Sequence, residues 1–377
     1  MAFDKGINSN TSPKHKKSAV REWFDSILFA VIAATLIRWL FFEAFTIPTP
    51  SMENSLLVGD FLFVSKLHYG TRTPKTPLQV PLTHQTIWGT NIPSYTDAIQ
   101  LPQFRLPGFS DVKRGDVVVF NYPPELQHPV DLKTNYIKRC MGLPGDKLEV
   151  RDLQVFANGK AVENPPRMEN EYFVATTTSV NEAKVFKDNG ISEFNSYQET
   201  FNDTISSNDQ SGYLVYTTVE LAAKLKTYDF VKDVTLVKAS KEISEPMLYP
   251  NSQLFKWNRD NYGPITIPAK GMTVQLTPEN IALYGTVIKN YEGKEAVEVD
   301  SNSIKIGGKV ITSYTFDQDY YFMVGDNRHN SADSRYWGFV PKDHIVGKAV
   351  FVWMSIDPAP TSFLGKIRWN RLFRIIN

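Results

Sequence analysis

The stretch Phe45-Thr46-Ile47-Pro48-Thr49-Pro50-Ser51-Met52-Glu53-Asn54-Ser55-Leu56 decides how this chain is built. Pro48 and Pro50 fix φ and remove two backbone donors, so no helix runs through them. The chain therefore leaves whatever helix precedes this stretch and continues extended. Ser51 is then held on stiff backbone just past that exit. A serine beside prolines is most often a turn residue, so its meaning depends on what surrounds it.

What precedes it is the apolar run Trp23 to Phe42, interrupted only by Asp25 and Arg38 near its ends. Twenty helical residues rise about 30 Å, enough for the hydrocarbon core of a bilayer. Trp23 and Trp39 suit interfacial anchors. The uncharged stretch Ser26 to Ile37 also fits a buried core helix. A cleaved signal sequence is disfavoured, because Phe-Phe-Glu-Ala-Phe-Thr-Ile-Pro holds no small-residue cleavage pattern. Lys5, Lys14, Lys16, Lys17 and Arg21 face only Asp4 and Glu22 ahead of the run. That basic flank predicts a cytoplasmic N-terminus and a body on the far side. The remaining chain has no apolar block of this length. One span is expected, and Ser51 lies close to the bilayer surface.

Composition narrows the chemistry. The 377 residues have room for one large or two ordinary domains, and 42% hydrophobic with 21% charged residues is ordinary for a folded protein. The net charge of +1 gives no field that points to nucleic acid. A single cysteine, Cys140, excludes an internal disulfide and two-cysteine metal motifs. The six histidines are scattered without an H-E-x-x-H pair, so a histidine-built zinc site is not expected.

Past Ser51, Phe61 to Lys66 after the Gly59-Asp60 turn reads as a buried strand. Residues 73 to 112 hold six prolines with little periodicity and read as a long surface excursion, close to the membrane. Arg114-Gly115-Asp116 opens the strand Val117 to Phe120. Tyr136 to Met141 is another, turning at Gly142-Leu143-Pro144-Gly145-Asp146, and Lys147 to Phe156 follows as a strand ahead of the Asn158-Gly159 hairpin signal. From 166 to about 310 the character changes to a mixed α/β insertion. There, Asn, Ser and Thr crowd 176 to 212, Thr217 with Glu220 reads as a capping box, and Thr277-Pro278 opens a second helix. Ile304 to Ile311 is a hairpin, and Tyr320 to Val324 and Ile345 to Met354 return to strands. The tail, Phe363 to Asn377, mixes Lys366, Arg368, Arg371 and Arg374 with apolar residues. It fits a membrane-surface contact or a solvated terminal strand or helix.

The candidates for chemistry are Ser51, Lys138 and the polar loop Gly325 to Gly338. A serine hydroxyl needs a base within hydrogen-bond reach. Lysine serves only when neutral, and at its ordinary pKa about one molecule in 10³ is neutral at pH 7. Burial among Tyr136, Ile137, Cys140 and Met141 would lower that pKa, with Arg139 on the opposite face of the strand. An outward lysine on a half-exposed strand fits the same residues. The loop is no EF-hand, since Arg328 stands at the third position and Ser331 where the turn glycine belongs. It also lacks the Gly-Lys-Ser/Thr end of a phosphate loop. Asp333 and Arg335 are placed to pair, either in a structural turn or in support of a site.

Five motifs occur in order: Ile47-Pro48 with Ser51-Met52, Gly59-Asp60 with Lys66, Arg114 to Phe120, Tyr136-Ile137-Lys138-Arg139 with Gly142 to Asp146, and Gly325-Asp326-Asn327-Arg328 with Trp337-Gly338. Each alone is weak. Together, behind an N-terminal anchor, they resemble the bacterial type I signal peptidases over residues 23 to 72, 112 to 165 and 312 to 355.

The resemblance implies a Ser-Lys dyad, with Ser51 as nucleophile and Lys138 as general base. It implies that Thr49 supports an oxyanion hole built on the Ser51 N–H. Ser331 would orient the lysine, with Asp333 and Arg335 as a supporting ion pair. Phe45, Ile47, Leu56, Tyr136 and Ile137 would line small apolar pockets for the Ala-x-Ala residues of a signal peptide. No metal or cofactor is implied. The partners are exported preproteins and membrane lipid, not nucleic acid. The location is the bacterial inner (plasma) membrane, with the catalytic domain on its outer, periplasmic side.

The expected fold is mainly β: an antiparallel β catalytic domain with an inserted mixed α/β region and one N-terminal transmembrane helix. Its parts are a basic N-terminus (1–22), the anchor (23–43), the catalytic domain (44–165 and 312–357), a non-catalytic insertion (166–311) and a basic-aromatic tail (358–377). Three positions depart from the family pattern. Pro50 replaces a usual glycine, Asn54 stands where proline is common, and His329 where aspartate is common. Two other classes fit less well: an inert anchored scaffold, against which Ser51, Lys138 and Ser331 argue, and a regulatory Ser-Lys protease with a cytoplasmic partner, against which the basic flank argues.

Overall fold

A computed structural model describes residues 18–198, 211–359 and 364–376. Most of the basic N-terminus, part of the polar stretch 176 to 212, and residues 360–363 and Asn377 of the tail lie outside the described residues. The apolar run forms helix α1, Ala19–Leu40. Ser18 caps it by accepting from the Arg21 N–H, Glu22 lies in its first turn and Arg38 in its last, as the helix dipole favours. None of its residues is buried by protein. Its hydroxyls are satisfied within the helix: Ser26 Oγ donates to Glu22 O at 2.8 Å and Thr35 Oγ1 to Val31 O at 2.7 Å. A helix that is apolar all round and touches no core is suited to lipid. The body is mainly β, and this one helix is long and apolar enough among the described residues to cross a membrane.

The helix stops earlier than the composition suggests, because strand β1, Phe42–Thr46, begins almost at once. It pairs antiparallel with β2, Asp60–Ser65. The sheet continues through the long strand Ile345–Ser355 to β3, Val117–Asn121, then β4, Asn135–Gly142, then Tyr320–Val324 and the short Val340–Pro341. Every neighbour is antiparallel. Both faces of this sheet are covered, which is why β3 reads as an unbroken apolar run. Val117 and Val119 pack with Met52, Leu62 and Val352, and Val118 and Phe120 with Cys140, Tyr321 and Met323.

Three local expectations are corrected. Lys147 to Phe156 is two strands, Lys147–Arg151 and Gln154–Ala157, because Asp152 and Leu153 take positive φ and turn the chain. Helix Val219–Leu225 is capped by Thr218 rather than Thr217. The tail ends in a short terminal strand and leaves Trp369, Phe373 and Ile375 exposed. Arg374–Ile375 pairs with Phe351 and Val352, continuing the edge along which β3 runs, and Arg371 is buried. Finally, Ser51 does not sit on extended backbone. The chain is extended at Thr49, then Pro50–Met52 forms a 3-10 turn, with Pro50 pre-set for its first position.

Within the 166–311 stretch, Asn170–Thr176, Phe194–Gln198, Ser211–Thr217 and Val231–Leu236 make their own sheet over their own core. Residues from Leu248 onward behave differently. Tyr262–Thr266 pairs with Lys147–Arg151, and helix Pro278–Tyr291 buries Ile281, Tyr284 and Ile288 in one core with Leu148, Tyr320 and Phe339.

Candidate active site

The Tyr320–Val324 strand ends opposite Arg139, so among the described residues no strand pairs with Tyr136 or Ile137 on that side of β4. The Pro50–Met52 turn lies against this open edge. Glu53 N–H donates to Pro50 O, Leu56 N–H to Met52 O, and Asn327 N–H to Ser51 O at 3.2 Å. The turn is thus pinned from within and from the polar loop.

Lys138 is 3% exposed, and its Nζ donates to Ser51 Oγ at 2.6 Å and to Ile137 O at 3.0 Å. It stands opposite Val118 and 5.6 Å from the Tyr136 ring centroid. Burial pushes its pKa down to about 8, partly opposed by the Asp333 and Asp326 carboxylates. The outward-lysine alternative is therefore excluded. Arg139, on the other face of the strand, is also buried. It makes a forked pair with Asp326, at 2.8 Å from Nε and 2.6 Å from Nη2. Sequence reasoning missed Asp326 as that partner. The signal was available, since an arginine inside an apolar strand calls for a buried acid.

Asp333 and Arg335 form a second fork, 2.9 Å from Nε and 2.8 Å from Nη2. Burial works to raise the Asp333 pKa, but Arg335 and the Gly325 N–H hold it below the ordinary carboxylate value. Arg335 also donates to Arg328 O at 2.6 Å, which braces the loop across its width. Ser331 lies in this loop with its buried Oγ unpartnered, so the hydroxyl is near the site without a hydrogen bond to Lys138. Its closeness is measured at Gly325, where a Cβ would stand 2.2 Å from Ser331 Oγ and 2.6 Å from Ser51 O.

Thr49 is exposed, and its side chain makes no capping hydrogen bond to the turn. Ser51 is the second residue of that turn, where an N–H has no acceptor inside the helix. Ile47 and Leu56 are buried with Met52, and Phe45 and Ile137 pack against that cluster. Tyr136 belongs to the other face, stacked on Tyr122 with centroids 4.4 Å apart.

Two of the three unusual positions have a physical reason. Asn54 has φ of 62°, which proline cannot adopt, and its Nδ2 donates to Glu169 Oε1 at 2.5 Å. His329 Nδ1 accepts from Glu171 N–H at 2.9 Å, and its Nε2 lies 2.8 Å from Asp260 Oδ1. The network assigns the proton to Nε2. An aspartate there would face Asp260 as a like charge. Both unusual residues thus contact the inserted region, a link that nothing local in the sequence announced. Among the described residues no group of three or more His, Cys, Asp or Glu side chains is placed to hold a metal ion.

A mainly antiparallel β body behind one apolar helix, with a serine hydroxyl hydrogen-bonded to a buried lysine, falls in the class of membrane-anchored serine peptidases. The family model described as "Signal peptidase, peptidase S26" matches residues 20–208 and 264–354. That is more than half of the chain, and the chain belongs to this family of serine endopeptidases. Signal peptidase I of Buchnera aphidicola subsp. Acyrthosiphon pisum is 27% identical over 372 residues, which cover 97% of this chain and 87% of the relative. The Haemophilus influenzae Signal peptidase I is 24% identical over 94% of this chain and 75% of its own length. The Rickettsia akari protein of that name is 35% identical over 41% of this chain and 48% of its own length.

Proposed function

We propose that this chain cleaves signal peptides from exported preproteins with Ser51 as nucleophile and Lys138 as general base. The observation that carries the dyad is the 2.6 Å contact between Lys138 Nζ and Ser51 Oγ, with the lysine buried. In the neutral amine the lone pair accepts the Ser51 proton, while an N–H remains bonded to Ile137 O. Ser51 Oγ attacks the scissile carbonyl, the lysine passes the proton to the leaving amine, and an acyl-enzyme remains. Lys138 then takes a proton from water, whose oxygen attacks the ester carbonyl and releases Ser51.

The oxyanion would be met by the Ser51 N–H, with the Thr49 hydroxyl beside it. Ser331 would complete the lysine's hydrogen bonding, and the Asp333–Arg335 pair would hold the loop that carries it. An extended peptide fits along the unpaired side of Tyr136 and Ile137 by strand addition. Phe45, Ile47, Leu56, Tyr136 and Ile137 would then line pockets sized for Ala-x-Ala. The inserted region takes no direct part in this chemistry. Helix α1 restricts the search to the membrane surface, where substrate and enzyme share one plane. The basic flank supports a cytoplasmic N-terminus and a catalytic body on the outer side of the bacterial inner membrane.

The test is cleavage of a model preprotein with an Ala-x-Ala site in detergent. Wild type should cut at that site, and Ser51→Ala and Lys138→Ala should lose activity by orders of magnitude. A variant with near-normal activity would sink the dyad, and an inactive wild type would favour a scaffold.

A further inference from the structure

Where α1 ends, its last turn, Glu43, Lys66 and the beginning of the excursion after Arg72 enclose a cavity of about 460 Å³. That volume suits a small ligand group. Its walls carry three cations, Arg38, Lys66 and Arg72, against two carboxylates, Glu43 and Asp131. Arg38 and Lys66 share one carboxylate, Glu43, at 2.7 and 2.8 Å. Arg72 donates to neutral acceptors, Asp343 O at 2.5 Å and Asn121 Oδ1 at 2.7 Å. Asp131 accepts from its own surroundings, the Lys75 and Thr76 N–H groups and the Thr76 hydroxyl. Among the lining residues the cations exceed the carboxylates by one, and the Asp343 carboxylate also acts on Arg72 from outside the lining. A further donor on its wall, Gln103 Nε2, is buried without an acceptor.

Part of the remaining wall is apolar. Leu36 comes from within the membrane-spanning helix, and Val80 from the excursion stands exposed beside it. Cations and an unused donor on one side, and aliphatic surface continuous with the span on the other, describe a site for an amphiphile with an anionic head. Its depth is that of the bilayer surface.

We propose that this cavity binds the headgroup of an anionic phospholipid, with phosphate oxygens on Arg38, Lys66, Arg72 and Gln103 and the first acyl carbons along Leu36 and Val80. The proposal rests on α1 crossing a bilayer and sharpens the general lipid contact into one site.

The test uses the full chain reconstituted in phosphatidylcholine vesicles with or without phosphatidylglycerol, extracted gently and weighed by native mass spectrometry. Wild type should retain phosphatidylglycerol over phosphatidylcholine by at least about tenfold. Arg38→Gln should lose that preference, and Gln103→Leu should reduce it. Gln103 Nε2 makes no protein hydrogen bond, so Gln103→Leu should keep the wild-type melting temperature, and Arg38→Gln, which leaves Glu43 paired with Lys66, should stay folded with at most a modest drop. Equal retention of the two lipids, or a preference untouched by both substitutions, overturns the proposal. Displacement of the lipid by glycerol 3-phosphate or inorganic phosphate alone would instead mark a site for soluble anions and also overturn it. Carbonate extraction separates the two readings. A protein that leaves the membrane disproves the anchor, whereas one that stays without lipid preference disproves only this site.

Discussion

Arg371 in the C-terminal tail and Asp60 at the start of β2 form a buried, forked ion pair, with Nε donating to Oδ1 at 2.9 Å and Nη2 to Oδ2. Arg371 Nη2 also donates to Ser55 O. The tail thus grips the segment that joins the Ser51 turn to the sheet.

Removing one partner of such a pair strands the other charge in the interior. Arg371→Ala should cost about 3–5 kcal/mol, seen as a lower urea midpoint for the solubilised protein. Arg374→Ala, in the half-exposed strand that follows, should change stability far less. Equal effects of the two substitutions would show that the pair is not what holds the tail.

The second prediction concerns pH. Lys138 must be neutral to accept the Ser51 proton, and burial holds its pKa near 8. Cleavage should rise about tenfold per pH unit below about 8 and level off above it. A flat profile between pH 6 and 8, measured under conditions where chemistry limits the rate, would contradict a lysine base.

Glu169 and Glu53 give a pH effect of the opposite sign on stability. Burial, then the neighbouring Glu53 carboxylate, pushes Glu169 up to about 8, and burial pushes Glu53 up to about 7. Unfolded, both ionise near 4.5. Between those values the folded chain keeps protons that the unfolded chain has released, so stability falls as pH rises from about 4.5 to 8. Glu169→Gln keeps the acceptor for Asn54 and removes one of these ionisations. Its melting temperature relative to wild type should therefore climb with pH across that window. Parallel curves for the two proteins would refute the assignment.

Gly325→Ala places a methyl group against Ser331 Oγ and Ser51 O. The turn and the loop must separate, and displacing reacting groups by about 1 Å costs about 10² in rate. Overpacking adds about 1–3 kcal/mol of destabilisation. Near-normal cleavage by a folded Gly325→Ala protein would mean that the Ser51–Ser331 spacing does not matter.

Much of this was legible in the chain. Alternation and apolar runs announced α1, β2, β3, β4 and the Tyr320–Val324 and Ile345–Ser355 strands, because burial selects residue type locally. Helix Pro278–Tyr291 was announced by Thr277-Pro278 and its apolar spacing. Motif order brought Ser51, Lys138 and the Asp333–Arg335 loop forward as one set. The local slips came where backbone conformation outweighed composition, as with the positive φ of Asp152 and Leu153 that split one apparent strand.

The sequence by itself determined the anchor, the mainly β body and the residue types able to do serine chemistry without histidine. Only the tertiary structure decided that Lys138 is buried and 2.6 Å from Ser51, because the two are 87 positions apart and burial is a property of what packs around a strand. It also decided that Arg139 meets Asp326, that Asn54 and His329 reach the inserted region, and that Arg371 closes on Asp60. Each is a pairing of buried polar groups distant in sequence. Residue type demands a partner for such a group, but only the folded chain supplies its address.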